Sequence, residues 1–430
     1  MIFNREENEM AYRISRRNLV KGAAATGLAM PFINLRTALA QDGPITIGVV
    51  TPLSGPAQLI GNFVRHGAEI GVKHVNARGG VNGRELAVEF RDSKANPNDA
   101  SVAARELIGA GVNLQLGTIS SAVALAMGPL LQSEGGVVLT SGAGTEKLNH
   151  ENYNPHVFRV GDSPVSRNAG LVRHIVKSRP EIRKWGGIIP DHEYGRTTWK
   201  IFEATMRKAM PELTGEEAVI AEPILVPYGS GDYRNYITQA MRLDVEGIYT
   251  SVYGGDAVTL YQQAKPFGLF DKIDVLLDSA NEFLVATAMK GEMPALWSGF
   301  HWYYEANKGN PLSDQLYADY VERTGDNYPM GWAAEAHAGI MAYAGAIEKA
   351  GSTETTDVIA GLKGLEFDSA TGMRRIRAED NQAVKNAELA YIEPSDSAPD
   401  GFAVTDYVSL PGEEVIEPAN PGKPLDTSIL

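Results

Sequence analysis

Five short stretches of the chain place groups able to hold a small charged solute directly after β-branched, apolar runs. VNLQLGT is followed by Ile119, Ser120 and Ser121 and then by a helical pattern. Two hydroxyls and free N–H groups at a helix start form an anion site, although serines there also serve as plain N-caps. GVVLTS is followed by Gly142, Ala143, Gly144 and Thr145, where small residues let the backbone approach a ligand closely. His192-Glu193-Tyr194-Gly195 follows GGIIPD, Gly255 and Asp256 follow GIYTSVYG, and Asn281-Glu282 comes just after KIDVLLDS. Hydroxyls, a tyrosine and carboxylates are the set that a zwitterion needs: donors for its carboxylate, an acid for its ammonium.

Other chemistries find less support. The GAG at 142–144 is not continued into G-x-G-x-x-G or a Walker A sequence, and no Ser-x-x-Lys or Gly-x-Ser-x-Gly nucleophile motif is evident. His66 and His74 lie eight apart on one helical pattern, not at the i, i+4 spacing of a metal pair, and read as surface residues. The expectation is therefore no metal, no cofactor and no enzyme. Trp297, Trp302, Tyr303 and Tyr304 either line the mouth of a cleft or pack at a crossing between lobes.

The elements that must position these groups alternate. Strands are expected at 45–55, 85–92, about 112–118 and 136–141, with helices between them; Ile60, Val64, Ala68, Val72 and Val75 form one apolar stripe. The rhythm returns with strands at 185–191, 218–227, 246–254 and 272–279. Helices are expected at about 164–178, 194–210, 232–242 and 256–266. HVFRVGDSP (156–164) and WSGFHWYY (297–304) read as crossings between two lobes. Long helices follow at 311–324 and 332–350, then a hairpin over 367–380. The pattern predicts an α/β protein of two doubly wound parallel-sheet lobes joined by a multi-stranded hinge, with any ligand outside the carboxyl ends of the strands. Residues 44–160 and 301–366 make lobe 1, 161–300 and 367–395 lobe 2, and 396–430, rich in Pro, Gly and acid, an extended or loosely packed tail.

Residues 1–40 read as an export signal. Arg16, Arg17 and Lys21 precede a short apolar run, and Ala38-Leu39-Ala40 supplies a cleavage site before Gln41. The Ser-Arg-Arg-x-Leu-Val-Lys string resembles a twin-arginine signal. The chain holds no cysteine, and no later apolar run is long enough to span a bilayer, so a soluble, unanchored protein of a bacterial periplasm is expected. Six of its 39 Lys and Arg and three of its 53 Asp and Glu precede Gln41. The remainder carries 33 basic against 50 acidic groups, a formal −17, which argues against nucleic acid and anionic membranes as partners.

The segment ITIGVVTPLSGP…GAEIGVKHVNARGGVNGRELAVEFRDSKANPNDA, continued by GTISSAVALAMGPLL, VVLTSGAGTEKL, DHEYGRTTW, GGDAVTLYQQAKPFGL and DSATG, resembles the branched-chain amino-acid and amide binding proteins of ABC importers over about 45–395. The resemblance implies the type I periplasmic-binding fold, a monomer that captures a small-molecule ligand, and ABC permease transmembrane subunits as partners. It implies carboxylate donors at Ser120 or Ser121, the Ala143 backbone and Thr145, and a cleft tyrosine at Tyr194. A side-chain wall falls near Ile60, a cleft position on Asp256, and an ammonium acid on Asp278 or Glu282. The leucine binders carry a disulfide that this cysteine-free chain lacks. A neutral amino acid, an amide or a simple carboxylate all remain as ligands. An exported sensor docking on a receptor, or an exported enzyme, are the alternative functions.

Overall fold

The structure, a computed structural model, describes residues 43–430; the export-signal expectation for 1–40 lies outside them. Two sheets organise the described chain. The first is five-stranded and wholly parallel, in the order Leu86–Asp92, Ile45–Thr51, Leu114–Thr118, Val137–Thr140, Val157–Arg159. On one face, helix Gln58–Ala77 lays down Ile60, Val64, Ala68 and Val75, the stripe expected from its spacing. The alanine-rich helix Trp332–Ala350 packs beside it and is buried almost throughout. Helices Pro97–Gly109 and Ser121–Glu134 cover the other face through Leu107, Leu131 and their neighbours.

The second sheet carries the parallel strands Lys184–Pro190, Gly247–Thr250, Val275–Asp278 and Leu296–Phe300 at its centre. Its faces are covered by two separate clusters, one around Trp185, Phe202 and Leu277, the other around Ile248, Tyr261 and Leu276. Each sheet is thus buried on both sides, as parallel strands require. The molecule has the type I periplasmic-binding fold: two doubly wound lobes joined by several crossings. The chain passes from the first sheet to the second after Arg159 and returns after Phe300. It passes again near Gln382, which bridges to Arg159 in parallel register.

Two expectations about the C-terminal part are corrected. The hairpin at Glu366–Ser369 and Gly372–Ile376 is present, but it does not belong wholly to lobe 2. Phe367, Ala370, Ile376 and Ala383 are packed into the core of the first lobe. Nor is the segment after 396 loose. Phe402–Leu410 pairs antiparallel with Ala387–Pro394, which itself runs antiparallel to Leu296–Phe300. Beyond it the Glu417 carboxylate is buried against the Ser163 hydroxyl at 2.6 Å, and Leu425 and Leu430 cover Val165, Ala169 and Ile201. Acid and proline content misled because ladder pairing uses the backbone, and because a carboxylate can be held inside by partners distant in sequence, here the Ser163 hydroxyl and His150 Nε2 at 3.5 Å.

Candidate functional site

Strand Leu114–Thr118 ends in the first lobe where helix Ser121–Glu134 begins. Ser120 is extended (φ −86°, ψ 128°), and its Oγ accepts from the Val123 N–H at 3.5 Å. Ser121 sits one residue further in, buried, with an Oγ that has no partner. Both line a cavity of about 190 Å³, on the order of six water volumes, which suits one small solute. Gly142 lines it from the next strand end. The second lobe contributes Tyr194 after strand Lys184–Pro190, Tyr253 after Gly247–Thr250 and Ala280 after Val275–Asp278. The cavity therefore lies at the carboxyl ends of strands from both sheets.

Its walls are aromatic. Tyr228 and Tyr253 stack with centroids 5.1 Å apart, Tyr194 meets Tyr253 edge-on at 5.7 Å, and Trp332 lies 5.6 Å from His301. Ile60, Ile119 and Ala57 close the apolar side. Burial lowers the pKa of His192, against the pull of Asp191, Glu193 and Asp256, and so disfavours the charged ring.

Among the described residues lining the cavity, Arg167 is the one Arg or Lys. It stands on helix Pro164–Ser178 and crosses strand Leu296–Phe300 at Gly299, where a Cβ would lie 2.5 Å from its Cδ. Its Nε is 3.4 Å from Asp162 and its Nη1 is 2.9 Å from His301 Nε2. Burial works against the guanidinium charge, but Asp162, Tyr194, Glu282 and Tyr249 together outweigh it and hold the Arg167 pKa above its ordinary value. Burial likewise works to raise the Asp162 pKa, and the charges of Arg167, His301 and Lys385 overcome it, bringing that carboxyl down to about 2.

Four of the residues expected at the site come together in this lining: Ile60, Ser120, Ser121 and Tyr194. The other five do not line it. Ala143 is buried in the layer beneath helix Ser121–Glu134. Thr145 donates to Glu193 Oε1 at 2.9 Å, and Asp256 accepts from the Gly229 N–H at 2.5 Å. Asp278 accepts from Tyr261 at 2.8 Å and from the Ala280 and Asn281 N–H groups; burial raises its pKa, against the pull of those donors. Glu282 accepts from the backbone N–H of His301 at 3.0 Å and of Gly331 at 2.6 Å.

Arg167, Tyr228, Tyr253, His301 and Trp332 line the cavity without having been singled out, and His192 and Glu193, noted in the loop after GGIIPD, line it as well. Of WSGFHWYY, it is His301 that reaches the site, whereas Trp297 and Trp302 are in the cores of the two lobes. An imidazole embedded in that otherwise apolar pattern was the available signal. The surface reading of His66 and His74 also fails, since both are half-buried. His74 bonds His337 at 3.0 Å and Asp319 at 2.9 Å.

Residues 44–398 match the family model for periplasmic binding proteins. The Leu/Ile/Val-binding protein homolog 3 of Brucella melitensis is 25% identical over 225 residues, 52% of this chain and 59% of that relative, so less than two thirds of its length is spanned. The leucine-, isoleucine-, valine-, threonine-, and alanine-binding protein of Pseudomonas aeruginosa is 23% identical over 76% of this chain and 84% of its own. Among solved structures, an ABC-transporter solute-binding protein of Rhodopseudomonas palustris BisB5 in complex with 3,4-dihydroxy benzoic acid superposes with a TM-score of 0.73. It is 19% identical, with 86% and 98% of the two chains covered. One from R. palustris in complex with benzoate gives 0.73 at 16% identity, covering 88% and 99%. At such identities the likeness is one of fold.

Proposed function

The chain belongs to the periplasmic binding protein family, and on that premise we propose that it captures a small aromatic carboxylate between its lobes and delivers it to the transmembrane subunits of an ABC permease. One observation carries the choice of ligand. The cavity offers a guanidinium, two serines at a helix start and a box of aromatic rings, while the nearby acids are already engaged. Arg167 and the Ser121 hydroxyl hold the carboxylate, and Tyr194, Tyr253 and Trp332 take the ring. An α-ammonium in the same pocket would find one lining acid, Glu193, whose oxygens already hold Thr145 and Lys147, and a desolvated ammonium left poorly paired costs several kcal/mol. In this reading the protein is a binding protein and not an enzyme, acts as a monomer in the periplasm, and is delivered there by the segment 1–40. The benzoate-type ligands of the two R. palustris structures lend the same direction.

Calorimetric titration with benzoate, 4-hydroxybenzoate, L-phenylalanine and L-leucine tests this. Micromolar binding of an aromatic acid, about 8 kcal/mol, with the amino acids far weaker, is expected. Tighter binding of leucine or phenylalanine than of benzoate would replace the carboxylate by an amino acid and leave the transport role standing.

A further inference from the structure

We propose that His301 is the specificity-determining residue of the cavity, acting as a spacer that keeps Glu282 away from Arg167; this rests on the aromatic-carboxylate reading and deepens it. The imidazole stands between a buried acid and a buried cation. Glu282 Oε1 is 3.0 Å from His301 Nδ1, and Arg167 Nη1 is 2.7 Å from His301 Nδ1 and 2.9 Å from its Nε2.

The surroundings are built to hold this arrangement. A Cβ on Gly331 would come within 2.4 Å of the His301 Cβ and 2.9 Å of Glu282 Oε1, and Gly299 gives way to Arg167 on the other side. The backbone N–H groups of His301 and Gly331 fill the remaining directions of the Glu282 carboxylate. His301 and Arg167 line the cavity, whereas Glu282 lies behind them. Two consequences follow for a ligand. A bound ammonium meets an imidazole already engaged by Arg167, not a free acid. A bound carboxylate meets a guanidinium whose one carboxylate within 4 Å, among the described residues, is that of Asp162 at 3.4 Å. Without the ring, Arg167 would pair directly with Glu282, and the cavity would lose its positive charge.

Benzoate and L-phenylalanine are titrated into the full chain and into His301→Ala, His301→Leu and His301→Ala/Glu282→Gln, with thermal melts reporting the folded state. The single variants are expected to bind benzoate at least about tenfold more weakly and to narrow its preference over phenylalanine. Adding Glu282→Gln should restore most of the benzoate affinity, because the acid that captures Arg167 is gone. A merely structural role for His301 would not be rescued by a second change at a buried acid. Unchanged affinity and preference in a folded single variant, or a double variant no better than the single, overturns the proposal. If neither single variant folds, Glu282→Gln with His301 in place decides: benzoate affinity unchanged within about twofold supports the spacer, because the ring already keeps the acid off Arg167, and a larger change in either direction overturns it. A wild-type protein that prefers phenylalanine would instead defeat the aromatic-carboxylate reading itself.

Discussion

The carboxylate of Glu193, the first residue of a second-lobe helix, accepts a hydrogen bond at 2.9 Å from the hydroxyl of Thr145 in the first lobe. Its other oxygen takes the Lys147 ammonium at 3.1 Å. A reciprocal contact lies beside it: Glu146 of the first lobe accepts from Thr197 at 2.7 Å and from Lys200 at 3.4 Å, both on the second-lobe helix. Burial works to raise the Glu146 pKa, but these donors bring it below the ordinary value. The cleft edge is thus closed by two crossed acid–donor pairs.

Thr145→Val should weaken ligand binding through closure and not through ligand contact. One neutral-to-charged hydrogen bond is lost, worth about 1.5–3 kcal/mol at most and less at a partly exposed edge. Stopped-flow measurements should show a faster off-rate with little change in on-rate. A pure on-rate effect would mean that the latch does not hold the closed state.

The serine pair divides its labour. Ser121 Oγ has no partner in the fold, so Ser121→Ala should lower aromatic-acid affinity by about 1 kcal/mol and leave the melting temperature unchanged. Ser120 caps its helix, so Ser120→Ala should cost about 1 kcal/mol of stability. Paired melts and titrations separate the two; equal effects on both quantities would argue against the division.

Asp256→Asn is expected to leave affinity for benzoate and for amino acids unchanged. Its carboxylate holds the Gly229 N–H and does not line the cavity. Asparagine keeps an acceptor there, and the stability change should stay below about 1 kcal/mol. A selective loss of amino-acid binding would return Asp256 to the site.

Glu388 supplies a pH signature. Burial pushes its carboxyl up to about 7, against the pull of Lys385, Asn307 and the Tyr303 N–H. A raised carboxyl pKa means that the folded state binds the proton more tightly than the unfolded chain. Stability is therefore highest below the unfolded value and falls as pH rises through the window up to about 7, at about 1.4 kcal/mol per pH unit. Glu388→Gln should flatten unfolding curves between about pH 5 and 7 and stabilise the protein at pH 8 by a few kcal/mol. A wild-type curve already flat across that window would refute the assignment.

Much of the fold was legible because it rests on local rules. Apolar spacing of 3.6 in Ile60, Val64, Ala68 and Val75, and β-branched runs ending in turn residues, specify helices and strands wherever the chain stands. Alternation of the two then leaves few topologies, and the strand-end loops follow as the place for a ligand. From those loops Ser120, Ser121 and Tyr194 reach the cavity lining, since a residue directly after a strand or at a helix start has little freedom to face elsewhere.

What tertiary structure alone decided is which charges are available. Asp278, Glu282, Thr145 and Asp256 have the right types in the right loops, yet each is engaged by a partner 17 to 49 residues away in sequence. Arg167 and His301, 134 residues apart, become one unit only when helix Pro164–Ser178 crosses strand Leu296–Phe300. A hydrogen bond between distant residues leaves no local pattern, because its geometry depends on how whole elements pack and not on the spacing within either. The sequence by itself determined the two lobes and the loops that meet at the cleft; packing determined that the cleft faces its ligand with a cation and aromatic rings.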